Sequence, residues 1–154
     1  MKLVDNIFVT EDVTLFSLCD APADISHMAD VFKMISESGI DVDMISQFPV
    51  SGANSGFSFT VNDKDFVSVL AIASELRSRS PKTKISVSSG NCKITVSGED
   101  MRGTPGVSAR VFKAVASVDA DVRMITTSEI EISMLVNKSD VDEVIEAIKS
   151  EFKE

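Results

Sequence analysis

The amino-acid sequence predicts an α+β fold of two βαββαβ units, one inserted in the other, each with its helices on one face of an antiparallel sheet. Three matches within the chain carry this expectation. Ala29-Asp30-Val31-Phe32-Lys33 returns 80 positions later as Ala109-Arg110-Val111-Phe112-Lys113. Asp41-Val42-Asp43-Met44-Ile45-Ser46 returns at the same spacing as Asp121-Val122-Arg123-Met124-Ile125-Thr126. The offset then drops to 75, where Val61-Asn62 matches Val136-Asn137 and Asp65-Phe66 matches Asp140-Val141. The five-residue difference falls in Phe48 to Ser55, whose Pro, Gly, Asn and Ser content reads as a loop. Three matches in order, with one gap placed in a loop, mark an internal repeat.

Each repeat has the same local grammar. Val13 to Leu18 and Cys92 to Ser97 are β-rich and partly alternating. A helix follows each. Met28, Val31, Phe32 and Ile35 recur at helical spacing, and Gly39 closes that helix. Val107, Val111, Ala114, Val115 and Val118 repeat the pattern, with Pro105 in a position that a first helical turn tolerates. Two strands come next: Val42 to Gln47 and Phe57 to Val61, then Val122 to Thr126 and Glu129 to Val136. Ile130, Ile132 and Met134 alternate with Glu131 and Ser133, as in a half-buried strand. A second helix places Asp65, Phe66, Leu70, Ala73 and Leu76 in the first repeat. Its counterpart has the stripe Val141, Val144, Ile145, Ile148 and Phe152. Asp63 and Ser139-Asp140 are suitable N-caps.

Thr83 to Ser88 completes the first repeat as βαββαβ, a ferredoxin-like motif. The second repeat has no fourth strand after its last helix. Leu3 to Thr10 belongs to nothing in the first repeat, so it is expected to pair into the second repeat's sheet. The expected domains are therefore 11–89 for the first and 1–10 plus 90–154 for the second.

Composition narrows the function. Of 154 residues, 15 are Lys or Arg and 24 are Asp or Glu, a formal charge of −9. That balance argues against a surface built for nucleic-acid phosphates or anionic membranes. No apolar run is long enough to span a bilayer, and the first residues carry no signal-peptide core. Cys19 and Cys92 are far apart and lack CxxC spacing, so both are expected as free thiols in a cytoplasmic protein. His27 is the single histidine and cannot build a His-based metal site or a Ser-His-Asp triad. No metal and no cofactor are expected. Met44 and Met124, at matched strand positions, are expected to pack rather than bind.

Gly106-Val107-Ser108-Ala109-Arg110-Val111-Phe112, followed by Val122 to Ser133 with its Thr-Thr-Ser-Glu-Ile-Glu-Ile-Ser run, resembles the carboxy-terminal regulatory region of aspartokinase. That region is a tandem pair of ACT domains, one inserted in the other. Ile40 to Gln47 and Phe57 to Val61 carry the same resemblance in the first repeat, so it covers essentially the whole chain. The kinase catalytic domain has no counterpart here, so no enzymatic activity is expected. The resemblance implies a regulatory module that binds an end-product amino acid, lysine or threonine, at interfaces between ACT domains. It further implies a homodimer, with a kinase catalytic domain or subunit as a further partner.

The resemblance also suggests effector contacts. Gly106 follows Pro105 at a helix start, where a ligand carboxylate could approach backbone N–H groups; it also reads as a plain helix-entry turn. Thr127, Ser128 and Glu129 match a ligand-proximal turn, or equally a polar hairpin tip. Asp121 and Val122 occupy a strand start that touches effectors in the family, often through Asn, so Asp121 is a departure. In the first repeat, Ile25-Ser26 replaces Pro-Gly. Asp24 there reads as an N-cap whose carboxylate would compete with an effector carboxylate, so this pocket is expected to be altered or lost. Ser26, Asp43 and Gln47 remain its candidate contacts, with Asp43 as a possible ammonium partner.

A second reading is a free-standing ACT protein that binds no amino acid and serves assembly. A third, a small enzyme or RNA binder on this fold, lacks a clustered acid, base and nucleophile, and lacks Tyr and Trp for base stacking.

Overall fold

The structure is a computed structural model that describes residues 1–51 and 54–153. The elements run β1 (Asn6–Pro22), α1 (Ile25–Glu37), β2 (Ile45–Ser51), β3 (Asn54–Asn62), α2 (Phe66–Arg79), β4 (Lys84–Ser97), α3 (Val107–Ala116), β5 (Val122–Thr127), β6 (Glu131–Asn137) and α4 (Val141–Glu151). Short 3-10 turns precede α2 and α4 and follow β4. The fold is α+β, with four α-helices among the described residues and strand order β2-β3-β1-β4-β6-β5. The chain divides into an inserted unit, Asp12–Ser89, and an outer unit, Met1–Glu11 with Gly90–Glu154.

Several boundaries differ from the sequence reading: β2 starts at Ile45 rather than Val42 and β6 at Glu131 rather than Glu129. The strands read separately at Leu3–Thr10 and Val13–Leu18 are one 17-residue strand, β1. Likewise Thr83–Ser88 and Cys92–Ser97 merge into β4, of 14 residues. The intervening Asp12 (φ 58°) and Gly90 (φ 72°) take left-handed backbone without ending the strand, as residues at bulges do. The stretch read as a loop, Phe48 to Ser55, is mostly strand: Ser51 pairs with Asn54 beyond a register shift after Phe48. β2 is an edge strand, where Pro49 need not donate to a ladder. Gly52 and Ala53, the rest of that predicted loop, lie outside the described residues.

In the inserted unit, β3 pairs antiparallel with β1 (Phe16 opposite Phe59) and with β2 (Ile45 opposite Phe59). Its core is aromatic. Phe16 and Phe59 stack with ring centres 4.8 Å apart, and Phe32 of α1 tilts onto Phe59 at 5.3 Å. α1 ends as the glycine predicts: Gly39 (φ 71°) donates to Ser36 O at 2.9 Å, and Ile40 N–H reaches Ile35 O at 3.3 Å. This double bond pattern is a Schellman cap. α2 buries Val69, Ile72, Ala73 and Leu76, whereas Leu70 turns outward. The N-cap position of α2 is Asp65, which makes no side-chain cap bond; Asp63 accepts from Thr14 Oγ1 at 2.7 Å, and Asn62 caps the preceding turn through Lys64 N–H at 2.9 Å.

In the outer unit, β6 pairs antiparallel with β4 (Ile94 opposite Met134) and with β5 (Ile125 opposite Met134). Its core is aliphatic, built from Ile94, Val96, Val111, Val115, Ile132, Met134, Val144 and Ile148. The stripe predicted on α4 is the buried one. Asp140 makes no side-chain cap of α4 and instead accepts from Asp121 N–H at 3.2 Å. Arg110 of α3 clamps the end of α4: it donates to Glu151 Oε1 (3.1 Å) and Glu151 O (2.6 Å), and lies 4.2 Å from the Phe152 ring centre.

The two units share a further device. Ser17 and Ser58 pair their hydroxyls at 2.9 Å, and Thr95 and Ser133 pair theirs at 3.0 Å. Ser58 and Ser133 are 75 positions apart, so the repeat extends to hydroxyl pairs across neighbouring strands. Met44 and Met124 are both buried, as expected of packing residues, and both cysteines are free.

Candidate functional site

The end of β4 and the start of α3 bring several of the predicted site residues to one surface of the outer unit. Gly98 turns the chain under the backbone of Leu3. The connecting loop is tied internally by Thr104 N–H to Met101 O (3.1 Å) and Thr104 Oγ1 to Asp100 O (2.7 Å). Pro105 lies before the helix rather than in its first turn, because Gly106 is the N-cap. Gly106 has φ 90°, a conformation costly for any residue with a Cβ. Having no side chain, it leaves α3 without a side-chain cap. The helix therefore begins with backbone donors available to an anion.

The β5–β6 turn reaches the same place. Ser128 N–H bonds Glu131 O at 2.9 Å, which closes the turn, and the Glu129 side chain is exposed. A cavity of about 390 Å³ lies between the turn and the helix start, lined among others by Thr104, Gly106, Ser108, Ser128 and Glu129. Its helix end suits an anion and its Glu129 end suits a cation, the charge pattern of an α-amino acid. Glu129 is ion-paired with Arg102 of the connecting loop.

The predicted site residues do not all meet. Gly106, Ser128 and Glu129 line this cavity. Thr127 is the exposed last residue of β5, next to Ser128. Asp121 and Val122 lie at the opposite end of β5, about 17 Å away on strand geometry. Asp121 is engaged locally, with Arg123 Nε at 3.4 Å and Asn137 Nδ2 at 3.4 Å. Val122 packs on the outer core. In the inserted unit, Ser26 is exposed in the first turn of α1, Asp43 N–H bonds Thr60 O at 3.0 Å, and Gln47 is exposed opposite Phe57. Asp24 does cap α1, accepting from His27 N–H at 2.9 Å. The two helix starts thus differ: one is closed by its own carboxylate, the other is open.

Sequence reading missed Arg102. The available signal was a cation in the loop just before the Pro-Gly, but its partner lies 27 positions away. A larger cavity, about 520 Å³, lies between α3 and α4 and contains none of the predicted residues. Of its charged lining residues, Lys113 pairs with Glu151 within the cavity, and Glu146 pairs with Lys149 outside it. Among the described residues, no helix is long and apolar enough to cross a membrane.

Known proteins share this architecture. An ACT domain family profile matches residues 94–152. Aspartokinase from Bacillus sp. (strain MGA3) is 24% identical over 151 residues, 98% of this chain and 37% of the relative. Aspartokinase from Pseudomonas aeruginosa is 28% identical over the same share of each. The chain thus spans about 37% of the length of these relatives. The regulatory subunit of aspartate kinase from Thermus thermophilus, in its ligand-free form, superimposes with TM-score 0.87 at 26% identity, covering 99% of this chain and 100% of that one. Aspartate kinase from Synechocystis superimposes with TM-score 0.89 at 27% identity, covering 99% of this chain and 27% of that one. The match therefore takes in the regulatory part alone: over essentially its whole length the chain matches the ACT-containing regulatory region of aspartokinase.

Proposed function

We propose that this chain is the effector-sensing module of an aspartokinase-type enzyme. It binds an end-product amino acid, lysine or threonine, and passes the bound state to a kinase catalytic domain or subunit. Residues 11–89 and 1–10 plus 90–154 are its two ACT domains. One observation carries the reading: the uncapped start of α3, opened by Gly106 at φ 90°, shares a cavity with Ser128 and Glu129. The helix start takes the ligand carboxylate and Glu129 the ammonium.

In the family the ligand sits between ACT domains, so Thr127, Asp121 and Val122 are assigned to interface contacts. Ser26, Asp43 and Gln47 mark the corresponding place in the inserted unit, where Asp24 already occupies the helix start. Homodimerisation is supported by the edge strands β2 and β5, which expose Ile45 (50%) and Ile125 (42%) at matched positions.

Calorimetry with L-lysine and L-threonine tests the reading. Binding is expected to one of them, and Gly106→Ala is expected to weaken it about tenfold, by strain of roughly 1–2 kcal/mol at a left-handed position. Silence across all twenty amino acids removes the sensing reading and favours the assembly element.

A further inference from the structure

We propose that Arg102 is a positioning residue that holds Glu129 away from the start of α3. The inference rests on the sensing role proposed for this cavity, but its main test does not. Glu129 and the first residues of α3, Gly106 to Ala109, line one cavity. α3 has no side-chain cap, so Ser108 and Ala109, its second and third residues, present the N–H groups that a cap accepts from. A carboxylate within reach of such donors is drawn to them by hydrogen bonding and by the helix dipole. The inserted unit shows that outcome: Asp24 sits on the first turn of α1. In the outer unit Glu129 is committed instead to Arg102.

The pair occurs where it is needed. At the position 80 residues before Arg102 stands Pro22, and at the position 75 before Glu129 stands Asn54, so the unit with the capped helix has neither charge. Both partners are exposed, Arg102 at 56% and Glu129 at 71%. An ion pair this exposed contributes little stability. Its effect is on where one carboxylate points. With Glu129 held by Arg102, the helix start accepts a ligand carboxylate, and Glu129 stands ready for the ammonium. Without Arg102, Glu129 becomes a self-supplied cap and the site blocks itself.

Amide hydrogen exchange at Ser108 and Ala109 tests this on the full chain without ligand. Arg102→Ala is expected to slow exchange at one or both amides about fivefold, the worth of one cap. Arg102→Lys is expected to keep wild-type exchange, and Arg102→Ala with Glu129→Gln to return toward it. Should Arg102→Ala fold poorly, Arg102→Gln carries the same comparison. Unchanged exchange at both amides in the Ala or Gln variant overturns the proposal. In parallel, Arg102→Ala is expected to weaken L-lysine or L-threonine binding at least fivefold, with Lys restoring it. If the wild-type chain binds no amino acid, the sensing role fails, while the exchange comparison still decides what Arg102 does.

Discussion

Asp119 holds a backbone φ of 52° at the position where, 80 residues earlier, Gly39 holds 71°. Both residues finish a helix of the same repeat. Gly39 donates to Ser36 O at 2.9 Å and Asp119 to Ala116 O at 3.1 Å. Only the first position has the residue that the left-handed region favours. Asp tolerates that region better than most residues, but its Cβ still costs energy, and its charge opposes the helix dipole. Asp119→Gly is expected to raise stability by about 0.5–1 kcal/mol, the backbone relief exceeding the added chain entropy. Chemical denaturation at neutral pH reads this; a variant less stable than wild type refutes it.

Gly98 is a glycine for a different reason. A Cβ there would stand 2.2 Å from Leu3 O and 3.2 Å from Asp5 N. The crowding atoms are backbone, which cannot rotate away as a side-chain tip can. Asp5 N–H bonds Ser97 O at 2.8 Å, and the Asp5 carboxylate accepts from Glu99 N–H at 3.2 Å. Gly98→Ala is therefore expected to destabilise the chain by about 2 kcal/mol or more. Exchange at the Asp5 amide should accelerate more than exchange in the inserted unit. Equal acceleration everywhere would mean global loss rather than release of this segment.

Arg110 joins α3 to the end of α4 through two hydrogen bonds to Glu151 and a face contact with Phe152. The arrangement uses a planar, multi-donor group, which lysine cannot copy. Arg110→Ala is expected to cost about 1–2 kcal/mol. Arg110→Lys should recover less than half. Thermal denaturation of the three chains decides it, and full recovery by lysine would reduce the clamp to simple charge.

Asp24 has two expected roles that pull in opposite directions. As the cap of α1 it supports the inserted unit, so Asp24→Ala should lower stability by about 1 kcal/mol. As an occupant of the helix start it excludes a ligand carboxylate, so the same substitution should tighten L-lysine or L-threonine binding. Calorimetry beside denaturation separates the roles: a loss of stability without a gain in affinity leaves Asp24 a cap and nothing more.

The repeat was legible because its signals are local and periodic. Val31 and Ile35, or Val144 and Ile148, mark buried helix faces by spacing alone. Strand continuity was not legible. Glu11-Asp12 and Ser89-Gly90 carry the residues that usually end a strand, yet β1 and β4 run through them. The α2 face was misread at Leu70, since that helix is apolar on several sides and its spacing does not single out one of them. In the site, Gly106, Ser128 and Glu129 follow from the resemblance and share a cavity, whereas Asp121 spends its groups on Arg123, Asn137 and Asp140. Arg102 escaped notice because its meaning depends on a partner brought near only by folding.

Because β1 and β4 each serve both units, the order of synthesis and the order of completion differ. Residues 1–11 leave the ribosome before the inserted unit, and β4 beyond Ser89, β6 and α4 leave only after it. Leu3, Val4 and Ile7, which pack on the outer core in the finished protein, must wait without that core. A nascent chain stopped near Gly90 carries the whole inserted unit and only the first part of the outer one. The cavity beside Gly106, lined by residues between Met101 and Ile132, is completed only after the inserted unit.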